Sequence, residues 1–235
     1  MWQVAIEELR QRQEQFDADI SGWRRDYSER GGHIHCRCGC RSCCNLAVNA
    51  TFTEALTVAR ALDDRQRSAL DAHVGRLLEL REQMTNLKSY LKLHRQKVGF
   101  CPFLDDTGVC GVYSHRPFSC RALLSTRNEA WCGIDFATLH PLEKQAFLSS
   151  LDTEVVAFPS HYVAAIQETG RECEERTTDA MLRRFGVAVT GNMPFLAWLE
   201  KKYSLSSIIP HGAAAIVRLL AQEHLSHPLL IHVEA

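Results

Sequence analysis

Five cysteines stand within nine residues, Cys36, Cys38, Cys40, Cys43 and Cys44 in GGHIHCRCGCRSCCNLAV, and three more follow at Cys101, Cys110 and Cys120. Thiolate is the soft ligand that selects zinc, iron–sulfur clusters or Cu(I), and two cysteine-bearing loops can close on a metal from opposite sides. The chain must therefore fold so that its two cysteine segments meet, which constrains everything around them. Ten cysteines also permit five disulfides. Against that reading, the chain is far longer than disulfide mini-proteins, and adjacent Cys43 and Cys44 can pair with each other only in a strained ring. Reduced thiols are expected.

At 46% hydrophobic, the 235 residues can bury a core without metal supplying all the stability, so a metal here is local scaffolding or functional. The formal charge is −1, with Lys and Arg scattered among Asp and Glu. The electrostatic footprint of a nucleic-acid binder is missing. The opening stretch MWQVAIEELRQRQEQF is charged from Glu7 onward and lacks the apolar core of a secretory signal. No uncharged apolar run is long enough to span a bilayer. A cytoplasmic location without membrane contact is expected.

Trp2, Ile6, Leu9, Gln13, Phe16, Ile20, Trp23 and Tyr27 recur in steps of four and three, which predicts one long helix broken only by Gln13 in its apolar stripe. Arg30-Gly31-Gly32 ends it and delivers the chain into the cysteine loop. Thr53 is placed to cap a short helix through Leu62, and Asp63 or Asp64 a much longer one to about Lys97. The stripe of that second helix is Leu70, His73, Leu77, Leu80, Met84, Leu87 and Leu91. If both cysteine loops share a metal, the two long helices end beside it and run roughly parallel, with residues 45–64 as the return. Lys88, Lys92, His94, Arg95 and Lys97 near the end of the second helix suit its dipole; they would also offset an anionic thiolate cluster or dock an acidic partner.

In VGFCPFLDDTGVCGVYSHRPFSCRAL, two short apolar runs flank Asp105-Asp106-Thr107-Gly108. Turn chemistry there predicts a small β-hairpin from CPFL and VCGVY, and Pro117 fits the first position of a short helix carrying Cys120 and Arg121. After Gly133 the chain reads as mainly helical: one helix opened by Pro141 through Leu151, then segments near 160–185, 193–203 and 212–225. Phe195, Leu196, Trp198 and Leu199 suit burial. The tail LLIHVEA is either a short strand or frayed.

At the cysteine segments the chain resembles the YkgJ-like cysteine-cluster proteins, a zinc- or iron-chelating domain named for a CxxCxxCC motif. The resemblance rests on Cys40-x2-Cys43-Cys44, Cys101-Pro102-Phe103-Leu104, Cys110-x-Val112-Tyr113 and Arg116-Pro117-x2-Cys120-Arg121, and covers about residues 33–125. Arg37 stands where the family's first cysteine falls, with Cys36 and Cys38 on either side; Cys36 is preferred. The implied metal set is Cys36, Cys40, Cys43, Cys44, Cys101, Cys110 and Cys120. Through its members associated with flagellin lysine methylation, the family also implies a second reading, a cluster-dependent protein-modification enzyme.

A structural zinc site takes four ligands, and this set is larger. Cys43 and Cys44, as sequence neighbours, suit ligation of different metal atoms. An iron–sulfur cluster is therefore expected, with zinc as the alternative and electron transfer or redox sensing as the role. Cys132 is a candidate further ligand, and Cys173 a weaker one. His33, His35 and His115 flank the motifs and are left out of the set. Cys36-x3-Cys40-x2-Cys43 also has the spacing of radical S-adenosylmethionine enzymes, but their motif follows the first strand of a repeated strand–helix barrel, and this one follows a long helix. Nor does a βαβ pattern surround Cys40-x2-Cys43 to make it a thiol redox pair. No phosphate-loop, dinucleotide, serine-hydrolase or zinc-protease signature occurs, which leaves catalysis open.

The expectation is a mainly α chain forming a single domain over 1–235. It has two long helices, a cysteine-rich metal-binding module at 33–132 containing a small hairpin, and a helical C-terminal part at 133–235. The partner expected is a protein or redox partner; a zinc-stabilised interaction module is the third reading.

Overall fold

A computed structural model describes residues 1–37, 39–136 and 138–235. The chain is mainly helical. Helix α1 spans Trp2–Glu29 and buries Ala5, Leu9, Gln13, Phe16 and Ile20. Two bonds close its end, Gly31 N–H to the Ser28 carbonyl and Gly32 N–H to the Tyr27 carbonyl, and Gly31 takes the positive φ of +83° that releases the chain toward the first cysteine loop. At the other end, Trp2 stacks on Phe185 at 4.3 Å and meets Phe52 edge-on at 5.3 Å.

Strand β1 is Asn49–Thr51, and helix α2 follows at Phe52–Ala61. Its cap is Thr51, not the expected Thr53: the Thr51 hydroxyl accepts from Glu54 N–H while the Glu54 carboxyl takes the Thr51 N–H. Asp63 caps α3, Asp64–Glu79, through a reciprocal pair with Gln66. The expected single helix to Lys97 does not form. The chain tightens into a 3₁₀ turn at Arg81–Gln83 and restarts as α4, Leu87–Leu93, where Asn86 and Ser89 cap each other. A π turn follows at His94–Val98. Asn and Ser offer the backbone local partners that compete with helix continuation. The restart rotates the face: Leu87 and Leu91, expected in the stripe, are 59% and 45% exposed, whereas Tyr90, His94 and Val98 are buried.

The predicted hairpin is reduced to one antiparallel bridge, Leu104 to Cys110. Pro117 is the cap of α5, Phe118–Arg121, rather than its first residue. Then come α6 (Glu129–Gly133), α7 (Pro141–Ser149, with the His140 side chain capping it) and α8 (Ala164–Phe185). The two long helices are thus α1 and α8, which pack on each other. Strand β2 (Ala188–Asn192), α9 (Met193–Tyr203), α10 (Leu205–Ile208), α11 (Ala213–Gln222) and β3 (Ile231–Glu234) complete the chain. The LLIHVEA tail is therefore a strand.

The sheet is antiparallel in the order β1-β2-β3, with Ala50 opposite Gly191 and Val189 opposite Val233. The main core gathers α2, α3, α9, α11 and this sheet, with Phe52, Phe103, Phe195, Leu196 and Leu199 fully buried. A second core joins α1, α5 and α8 through Leu9, Phe16, Phe118 and Ile166. No described helix is long and apolar enough to cross a membrane.

Gly191 allows β3 to approach. A Cβ there would stand 2.2 Å from the Leu230 carbonyl oxygen and 2.9 Å from the Ile231 Cα, both backbone. Gly191→Ala is expected to cost about 2–3 kcal/mol, read as a lowered denaturant midpoint. Gly22→Ala on α1, where a Cβ meets nothing within 4 Å, is the control and should not lower it.

Candidate metal centre

Three backbone bonds shape the first cysteine loop: Cys40 N–H bonds the Arg37 carbonyl, Cys44 N–H the Arg41 carbonyl and Leu46 N–H the Cys43 carbonyl. The second loop joins it directly, Cys101 N–H donating to the Cys44 carbonyl at 2.7 Å. Beyond Cys101, Asp105 builds the turn that returns the chain to Cys110, its Oδ1 accepting from the Thr107 and Val109 N–H groups at 2.9 Å each. Cys120 rides on α5. That short helix is held from beneath by buried Glu54, whose Oε1 accepts from Phe118 N–H at 2.8 Å.

All seven cysteines of the expected set, Cys36, Cys40, Cys43, Cys44, Cys101, Cys110 and Cys120, line one cavity of about 570 Å³. His73, His94, Arg24, Arg37, Arg116 and Arg121 share its wall. Cys38 lies outside the described residues. Cys132 is buried just outside that wall, within electrostatic reach of Cys36, Cys40 and Cys43, with its Sγ 3.3 Å from His161 Nε2, and Cys173 packs half-buried against the α1–α5–α8 core. Every described cysteine is free. Among the described residues, no three of His, Cys, Asp and Glu stand close enough to hold one metal ion: the thiols ring a space instead of converging on a point.

Five of the seven thiols are held in their neutral form. A hydrogen bond with Cys44 and then burial raise Cys43 far above the ordinary range, burial raises Cys36, Cys101 and Cys110, and burial pushes Cys120 up to about 12. Arg116 works against this at Cys43, Cys110 and Cys120. It stacks 3.7 Å above the Tyr113 ring, which keeps its charge beside the thiols. Cys43 stands within electrostatic reach of Cys36, Cys101, Cys110, Cys120 and Cys132, so a thiolate there would raise each of them further. A soft cation that displaces these protons is the natural occupant, so the donor set fits an iron–sulfur cluster or zinc.

Arg121 has a different task from Arg116. Only 6% exposed, it donates to the Arg116 carbonyl at 2.7 Å, the Ser114 carbonyl at 2.6 Å and the Asp17 carboxylate. It ties the RPxxCR turn to α1. Gln13, the polar residue in the α1 stripe, makes the neighbouring tie, its Nε2 donating to the Arg116 carbonyl at 3.3 Å. Cys36 is fixed by Ser125, whose N–H points at its Sγ from 3.2 Å.

Glu174 on α8 adds a pH-dependent strain behind α5. Burial, then the charge of Glu54, pushes its carboxyl up to about 8 from 4.5. The folded protein therefore holds a proton that the unfolded chain has lost, and stability falls as pH rises through that window. In chemical denaturation, the midpoint of Glu174→Gln relative to the wild type should rise steadily between about pH 5 and about pH 8, because the variant lacks this pH-dependent loss. An unchanged slope in the variant counts against the assignment.

Sequence reasoning did not find His73 and His94 as cavity residues. His73 lay in an apolar stripe and His94 in a cationic run, and both reach the wall only because the chain breaks at Leu80 and coils at His94. No curated protein and no solved structure matches the chain. Residues 35–135, the segment that builds both cysteine loops, match the CxxCxxCC family, described as a "putative zinc- or iron-chelating domain".

Proposed function

We propose that the cavity holds an iron–sulfur cluster on Cys36, Cys40, Cys43, Cys44, Cys101, Cys110 and Cys120, and that the protein exchanges electrons with a redox partner or senses oxidation. The observation that carries this reading is the meeting of seven thiols from two loops around one space, where a single zinc takes four ligands. A bound cluster supplies reversible one-electron chemistry tuned by nearby charge and hydrogen bonds. Arg116 would offset thiolate charge, and the Ser125 N–H would stabilise a thiolate at Cys36. The test is anaerobic purification followed by iron, zinc and acid-labile sulfide analysis, with an absorption spectrum of the same sample. Iron with matching sulfide, and visible absorption bleached by dithionite, support the reading. Stoichiometric zinc without sulfide overturns it in favour of a structural site and moves function to the helical surfaces.

The cavity volume supports a second reading, a cluster-dependent protein-modification enzyme. About 570 Å³ falls within the range of small-molecule pockets, so the space admits a co-substrate beside a cluster. Calorimetric titration of the reconstituted protein with S-adenosylmethionine tests this; absence of heat removes that co-substrate.

A further inference from the structure

His73 is fully buried and His94 is 2% exposed, and both face the thiol-lined cavity. Their rings meet edge to face at 5.7 Å. Neither ring nitrogen of His73 has a hydrogen-bond partner, and His94 Nε2 has none either; the Phe100 backbone approaches His73 without reaching hydrogen-bond geometry. Buried imidazole nitrogens are rarely left so, because each unmade bond forfeits the hydration lost on folding. His94 is the more telling of the two. Its Nδ1 lies 3.3 Å from the Asn45 carbonyl, which fixes the proton there and leaves Nε2 as a bare lone pair. That is how metal-bound histidines are oriented, one nitrogen on a backbone carbonyl and the other on the metal.

The neighbouring chain leads from this pair to the cysteines that share the cavity wall with it. Asn45 follows Cys44, the Cys44 carbonyl is bonded by Cys101 N–H, and Phe100 precedes Cys101. Burial holds both rings neutral, His73 down to about 3, and neutral imidazole is the ligating form. We propose that His94 Nε2 and His73 supply imidazole nitrogen to the metal held in this cavity, giving a mixed sulfur and nitrogen donor set once the thiols close on it. The proposal rests on the reading of the cavity as a metal site. It adds donors that neither the cysteine motif nor the matched family description contains; His73 and His94 fall between the two cysteine loops.

The experiment is X-ray absorption at the iron and zinc edges of the full-length protein, reconstituted anaerobically with ferrous iron and sulfide or with zinc(II) alone. Wild type, His73→Phe, His94→Leu and the double variant are compared, with metal content measured on each sample. Imidazole scattering in the wild type, weaker in each single variant and lost in the double, is the expected result. A wild-type shell of sulfur alone overturns the proposal and leaves the metal reading standing. A wild-type protein that retains no metal overturns both. Because the wild-type spectrum decides by itself, a variant that folds poorly does not shelter the proposal.

Discussion

Cys43→Ser is expected to strip the centre of its metal, lowering bound metal per chain by about tenfold or more, whereas Cys173→Ser leaves it unchanged. The asymmetry follows from position. Cys43 shares a hydrogen bond with Cys44 and stands within electrostatic reach of five other cysteines, so its loss opens the middle of the ring of donors. A serine hydroxyl is too hard a ligand to replace a thiolate on zinc or iron–sulfur. Cys44→Ser and Cys120→Ser should follow Cys43→Ser. Cys173 sits on α8, packed against the core of α1 and α5, and serine there touches no cavity atom. Metal analysis of the four purified variants makes the comparison, and equal contents in all four would refute the ligand set.

The second large effect lies behind the metal site. Glu54 is fully buried, and its carboxyl accepts from Thr51 N–H at 2.8 Å, Thr51 Oγ1 at 2.9 Å and Phe118 N–H at 2.8 Å. One side chain thus caps α2 and anchors α5 across the core. Glu54→Ala leaves two buried N–H groups without acceptors and is expected to cost about 3–5 kcal/mol. It also frees α5, so Cys120 and the RPxxCR turn lose their position and metal retention falls with stability. Glu54→Gln keeps a carbonyl oxygen of the same reach and should cost much less. The denaturant midpoints of the two variants decide this. If Glu54→Ala melts like the wild type, the carboxyl does not join the two helices.

Helix existence was legible where periodicity or capping chemistry is local. The α1 stripe, the Pro141 start, α8, α9 and α11 all fall where the spacing predicts. The break between α3 and α4 was hidden because Leu80, Met84, Leu87 and Leu91 continue the step of three and four; the reciprocal Asn86–Ser89 cap outweighs that pattern only because Met84 and Tyr90 find burial on either side of it. Strands β1 and β2 are three and five residues long, too short for alternation to register, and their pairing is set by α2 and α9 packing beneath them.

The sequence by itself determined the chemistry of the site: thiol identity, the count beyond what one zinc requires, and the order of the two loops. Those properties belong to single residues and their spacing, and no packing can alter them. Tertiary structure alone decided that residues some sixty positions apart share one cavity, and that Cys132 does not line it. It also decided that His73 and His94 line the cavity with ring nitrogens left unpartnered and that Glu54 holds α5 from behind. Each is a long-range contact, fixed by which faces are buried once α1, α3, α8 and the sheet have closed on one another, and no local pattern encodes that closure.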